Sequence, residues 1–212
     1  MSRKGGMRLL ILLFLLIAAA PARAAPPQPL VLAFGDSLTA GFGLDRGLGF
    51  APQLQTALRR HGIRATVADG GVSGDTSTAA RARLGWTLDG LGAPPDLVIV
   101  ELGANDMLRG LDPRLTEDNL DAILAELGRR KIPALLAGMR AARNLDPAFV
   151  ARFGAIYPAL ARKHKVTLYP FFLDGAALVP GMMQADGMHP TFDGIKTVVT
   201  RIVPAVKAGL RP

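Results

Sequence analysis

Four short stretches of this chain carry the side chains best suited to chemistry. Ser37 lies in Gly35-Asp36-Ser37-Leu38-Thr39, and Gly74 in Gly71-Val72-Ser73-Gly74-Asp75-Thr76. Asn105 lies in Gly103-Ala104-Asn105-Asp106, and Asp186 and His189 share Asp186-Gly187-Met188-His189-Pro190. A serine hydroxyl is too weak an acid to attack a carbonyl unaided. An imidazole within reach can take its proton and return it to the leaving group, while a carboxylate holds the ring's tautomer and stabilises its charged form. The backbone N–H groups of Ser37 and Gly74, with the Asn105 carboxamide, would give three donors to the negative oxygen of a tetrahedral intermediate. Losing one such donor typically raises the barrier by ~3 kcal/mol. Together these are the parts of acyl transfer from oxygen or sulfur.

Taken singly, each stretch has a plainer explanation. Gly-Asp-Ser after a strand is usually a turn or a helix cap, Gly74 a residue with positive φ, Asn105 a turn residue, and Asp186-Gly187 a turn former. His61 and His164 stand at basic helix C-termini, where capping accounts for them; His189 has no such context. What gives the set weight is that all five candidates fall in loops on one edge of one predicted sheet.

That sheet follows from the apolar pattern. Leu30 to Phe34, ending at Gly35, suits a buried strand, as do Leu97 to Leu102, Pro133 to Met139 and Val166 to Phe171; Ile63 to Ala68 is a further β-rich segment. Between them lie helical stretches at about 50–61, 76–88 and 147–165, and a last one at about 192–208. Thr116 resembles an N-cap, followed by Leu120, Ile123, Leu124 and Leu127 on one helical face and by Gly128. Strands alternating with helices predict an α/β fold, a three-layer α/β/α sandwich on a five-stranded parallel sheet with right-handed crossovers. Ligands bind such sheets at the carboxyl ends of the strands.

The 212 residues are 50% hydrophobic and 20% charged, with a mean hydropathy of +0.27, which argues against intrinsic disorder. Having no cysteine excludes disulfides, iron–sulfur clusters, thiolate zinc and a cysteine nucleophile, and three histidines leave little for a metal centre. A formal charge of +8 would suggest nucleic acid, but the N-terminus explains half of it. Arg3, Lys4 and Arg8 precede 12 unbroken apolar residues, Leu9 to Ala20, and then Pro21 and Ala22-Arg23-Ala24. This is the pattern of a secretory signal peptide over residues 1–24, cleaved after Ala24 or after Ala22, and too short to span a bilayer. Four of the 25 cations and no acids lie there, leaving 21 against 17, a net +4, for the expected domain of residues 25–212. The expectation is an exported, periplasmic or secreted protein with no nucleic-acid partner and, for want of a cysteine to lipidate, no lipid anchor.

The four blocks together resemble the GDSL, or SGNH, hydrolase family, through Gly35-Asp36-Ser37-Leu38, Ser73-Gly74-Asp75-Thr76, Gly103-Ala104-Asn105-Asp106 and Asp186-Gly187-Met188-His189-Pro190. Glu101 to Asp106, Leu108-Arg109-Gly110 and Tyr169 to Leu173 are similar to its secreted arylesterase and acyl-CoA thioesterase/lysophospholipase subfamily. The resemblance implies a flavodoxin-like sheet and metal-free, cofactor-free hydrolysis of a small ester or thioester. It implies a Ser37 nucleophile, a His189 base oriented by Asp186, and Gly74 and Asn105 as oxyanion donors. Two departures stand out. Asp69-Gly70-Gly71 replaces the usual Asn-Ala-Ser, which bears on how that loop is braced, and Ala104 replaces a common glycine.

A competing reading is a flavodoxin-like module that holds a phosphate or other ligand in the Ser/Thr loop after the first strand; it leaves Asp186 and His189 without a task. Met107 to Leu111, beside Asn105, suggests a mobile lip for acyl chains.

Overall fold

The alternation of apolar runs and amphipathic stretches is realised in a computed structural model that describes residues 28–210; the expected leader, residues 1–24, lies outside the described residues. Five strands, Leu30–Gly35 (β1), Thr66–Gly71 (β2), Leu97–Glu101 (β3), Ala134–Ala137 (β4) and Thr167–Tyr169 (β5), form one sheet in the order β2-β1-β3-β4-β5. Every pairing is parallel. Strands covered on both faces need apolar side chains on both, and Val31 to Phe34 and Leu97 to Val100 are accordingly buried throughout.

The helices are Ser37–Ala40 (α1), Phe50–Arg60 (α2), Ser77–Asp89 (α3), Ala104–Leu108 (α4), Pro113–Arg129 (α5), Pro147–His164 (α6) and Phe192–Gly209 (α7). α2 packs beside α7, and α5 packs between α3 and α6, so the sheet lies between two helical layers. The basic residues at two helix ends are held by acidic partners: Arg129 and Arg130 pair with Glu126, and Lys163 and His164 with Asp121.

β4 and β5 are shorter than the sequence reading, ending at Ala137 and Tyr169 rather than Met139 and Phe171, and two other boundaries differ for reasons visible in the structure. β2 begins three residues later than Ile63, because the Ile63 N–H still closes the end of α2 on Leu58 O, and it runs through the polar Asp69-Gly70-Gly71 because β1 supplies partners as far as Gly35. Thr116 is not an N-cap. Asp112 caps α5 by accepting the Arg114 N–H at 3.0 Å, and Pro113 takes the first helical position, where its missing N–H costs nothing. Thr116 is instead buried inside the helix with its hydroxyl on Asp106.

One buried bond ties this layer to the site. Tyr157 of α6 donates its hydroxyl to Leu102 O, immediately after β3, at 2.9 Å. Tyr157→Phe leaves that carbonyl buried without its partner and should lower unfolding stability by about 1–3 kcal/mol in urea titrations; an unchanged midpoint would mean the carbonyl finds another donor.

Candidate active site

All the sequence candidates follow the carboxyl end of a strand: Ser37 after β1, Gly74 after β2, Asn105 after β3, and Asp186 and His189 in the long segment between β5 and α7. Ser37 is the first residue of α1. Asp36 caps that turn, its Oδ1 accepting the Leu38 N–H at 3.0 Å, and Gly41 closes it through an N–H to Ser37 O. The turn holds Ser37 largely buried, at 9% exposure.

His189 Nε2 lies 2.9 Å from Ser37 Oγ, and His189 Nδ1 lies 2.7 Å from Asp186 Oδ2. The other carboxylate oxygen, Asp186 Oδ1, accepts the backbone N–H groups of Met188 at 2.9 Å and His189 at 3.0 Å. These backbone donors, with the His189 ring, pull the Asp186 carboxyl down to about 2. The segment is held by Gln184, whose backbone N–H donates to His189 O at 2.7 Å and whose Nε2 donates to Pro190 O at 2.9 Å and Phe42 O at 2.7 Å. The Phe42 ring in turn covers the imidazole at a centroid separation of 4.5 Å. A residue of no obvious chemical promise thus joins the loop after α1 to the loop carrying the imidazole.

The donors expected for an oxyanion are in two states. Among the described residues, the backbone N–H groups of Ser37 and Gly74 have no hydrogen-bond partner. Asn105 Nδ2 is occupied, donating to Asp36 Oδ2 at 3.1 Å and to Asp75 O at 3.0 Å. Gly74 has φ +85°, as its turn requires, and its carbonyl accepts Arg109 Nη2 at 2.7 Å. The loop around it is pinned at several points. Arg83 pairs with Asp75 at 2.6 Å, and Asp106 accepts the Ser77 N–H at 2.8 Å and the hydroxyls of Ser77 and Thr116.

The Asp69-Gly70-Gly71 departure has a steric reading. A side chain at Gly71 would overlap the backbone of Ala40, so glycine allows α1 to close directly on β2, and Asp69 Oδ1 braces the turn by accepting the Gly71 N–H at 2.9 Å. The expected lip at 107–111 is tethered rather than loose. Leu108 is exposed, Met107 and Leu111 are half-buried, Arg109 is held by Gly74, and the Leu111 N–H donates to Asp106 O at 3.0 Å.

Two surface hollows of about 540 and 380 Å³ run along α7, and none of the five candidates lines either. The loops around Ser37 instead present exposed apolar side chains: Phe42, Val72, Leu108 and Met188. Among the described residues no cluster of His, Asp and Glu is arranged to hold a metal ion.

A parallel α/β/α sheet with a Ser–His–Asp chain along its carboxyl edge defines a serine hydrolase class. Residues 33–196 match the GDSL-like Lipase/Acylhydrolase family, and the chain belongs to that family and is a carboxylic ester hydrolase. It is 37% identical over 177 residues to esterase TesA of Pseudomonas aeruginosa, covering 84% of this chain and 87% of that one. It is 36% identical over 180 residues to thioesterase 1/protease 1/lysophospholipase L1 of Escherichia coli K12, covering 85% and 84%. Among solved structures it is similar to AlinE4, an SGNH-hydrolase family esterase, with 47% identity, a TM-score of 0.75, and coverage of 89% of this chain and 100% of that one. A phosphate-binding module is not favoured by these relationships.

Proposed function

We propose that the chain hydrolyses aryl or short-to-medium acyl esters, and acyl thioesters or lysophospholipids by the same chemistry, through an acyl-enzyme on Ser37. The observation that carries this is the unbroken chain Asp186–His189–Ser37, with contacts of 2.7 and 2.9 Å. Ser37 Oγ attacks the carbonyl carbon as its proton passes to His189 Nε2, and Asp186 stabilises the imidazolium. The carbonyl oxygen becomes an oxyanion held by the free N–H groups of Ser37 and Gly74. Asn105 joins them only if an N–H now on Asp75 O or Asp36 turns to or is shared with the oxyanion. Collapse expels the alcohol, phenol or thiol, which takes the proton from His189. Water, deprotonated by His189, then attacks the acyl-enzyme, releasing the acid and restoring Ser37.

Release of p-nitrophenol from a short acyl ester by the purified protein supports this reading; tight retention of a phosphate ligand without hydrolysis supports the binding module instead. A comparison of aryl, short-acyl, long-acyl, thioester and lysophospholipid substrates assigns the preferred class. The exposed Leu108 beside the oxyanion donors supports a role in acyl-chain selection. Leu108→Ala, alone and with Leu111→Ala, should shift the preferred acyl length of p-nitrophenyl esters; identical profiles would remove these residues from specificity.

The same proposal includes export. The basic, apolar and small-residue segments of residues 1–24 support a cleaved leader ahead of a hydrolase domain at 25–212. N-terminal sequencing of the exported protein should read from Ala25 or Arg23, and an intact Met1 would contradict it.

A further inference from the structure

Glu101 ends β3 after Leu97-Val-Ile-Val100 and is completely buried. Sheet register sets it beside Gly35, next to the cap of the serine turn. Its Oε2 accepts the Thr39 hydroxyl at 2.9 Å, whereas its Oε1 is buried with no conventional partner. The Asp36 and Glu101 carboxyl groups lie against one another. Among the described residues neither forms an ion pair with Lys or Arg; Arg83 is committed to Asp75 and to Gly35 O.

Two adjoining carboxylates withdrawn from water cannot both ionise. Hydrogen-bond valence decides where the proton sits. Both Asp36 oxygens already accept, Oδ1 from Leu38 N–H and Oδ2 from Asn105 Nδ2, which suits a carboxylate. On Glu101 one oxygen accepts and the other is an orphan, which suits an acid whose hydroxyl points to Asp36. We propose that Glu101 is a neutral carboxylic acid that donates the Oε1 proton to Asp36, and that this shared proton positions the Ser37 turn and the Asn105 carboxamide. Burial first, then the adjacent Asp36 charge, holds Glu101 well above the carboxylate range, and burial lifts Asp36 to about 6.

Glu101 is therefore a positioning residue, acting through Asp36 on both the serine turn and the oxyanion carboxamide. The functional half rests on the reading of Ser37 as nucleophile; the protonation half does not. Besides Asp36, the ionisable groups around the pair are His189 from the loop before α7, Arg83 of α3, Asp106 of α4 and Tyr157 of α6. An acid held protonated in the fold adds stability that is complete below its unfolded pKa and is lost as pH rises towards its folded one. Glu101→Gln keeps the neutral donor and acceptor and removes that loss.

The test is infrared spectroscopy of the full enzyme labelled with ¹³C-carboxyl glutamate. The chain has only three glutamates: Glu117 is exposed, and Glu126 is paired with two arginines. The expected result at neutral pH is a label-sensitive carbonyl stretch of an un-ionised acid, absent in Glu101→Gln. That variant should retain most of its kcat and lose less stability on alkalinisation than wild type, while Glu101→Ala loses about ten- to a hundredfold in kcat with KM little changed. No labelled acid band in wild type overturns the proposal. Glu101→Gln falling as far as Glu101→Ala overturns the positioning role. A band that persists while Ser37→Ala remains active would sink the nucleophile and leave the shared proton standing.

Discussion

Ser37→Ala is expected to reduce kcat/KM for a p-nitrophenyl ester by about 10⁵–10⁶-fold, the scale seen when a serine nucleophile is removed elsewhere. The variant deletes the proposed nucleophile, and His189 Nε2 then faces a methyl. The backbone N–H of residue 37 remains, so a residual ~10³-fold advantage over water from the oxyanion donors and binding should survive. The fold should not suffer. Among the described residues the one side-chain hydrogen bond of Ser37 is to His189, and the capping bonds of its turn come from Asp36 and Gly41 rather than from the serine hydroxyl. A thermal unfolding scan should therefore overlay that of the wild type, and activity near the wild-type level would end the assignment.

Asp186→Asn is expected to cost about 10⁴-fold in kcat, by analogy with the tautomer effect in other serine hydrolases. Here the geometry forces that effect. Position Oδ1 accepts two backbone N–H groups, so the carboxamide must keep its oxygen there and turn its NH₂ towards His189 Nδ1. The ring then carries its proton on Nε2 and donates to Ser37 instead of accepting from it. Asp186→Ala lacks this forced tautomer and also loses the turn, so a stability difference between the two variants separates orientation from folding. Because the Asp186 carboxyl lies at about 2, the acid limb of the wild-type activity profile belongs to another group. Its depressed value also means that its contribution to stability, present above the unfolded carboxyl pKa, is lost only as pH falls towards 2. If Asp186→Asn retained more than a tenth of wild-type kcat, the tautomer argument would be wrong.

The fold was legible because buried parallel strands must be apolar on both faces, so Leu30 to Phe34 and Leu97 to Val100 announce themselves. The end of β2 is not legible, because Asp69-Gly70-Gly71 pair through backbone alone and carry no apolar signal, and its start is hidden because Ile63 is apolar yet still closes α2. Thr116 misled because Ser/Thr before a periodic stretch reads as a cap, although Asp112-Pro113 is the stronger start. In the site, the structure brings three of the five residues that the sequence singles out, Asp186, His189 and Ser37, into contact. The supporting residues divide by whether they left a local mark. Glu101 could have been noticed as a charged residue closing an otherwise apolar strand, and Asp36 as the residue capping the serine turn. Gln184 and Phe42 could not, since their value lies in contacts across more than a hundred residues of chain, and a glutamine or phenylalanine in a loop is locally ordinary.

On this mechanism every acyl group passes through Ser37 Oγ. Its most direct test is intact-protein and peptide mass spectrometry after reaction with a p-nitrophenyl phosphonate, which is trapped at the tetrahedral stage. The expected result is one adduct per chain, mapped to Ser37, formed much more slowly in Asp186→Asn and not at all in Ser37→Ala. An adduct on another residue, or loss of activity without an adduct on Ser37, would contradict it.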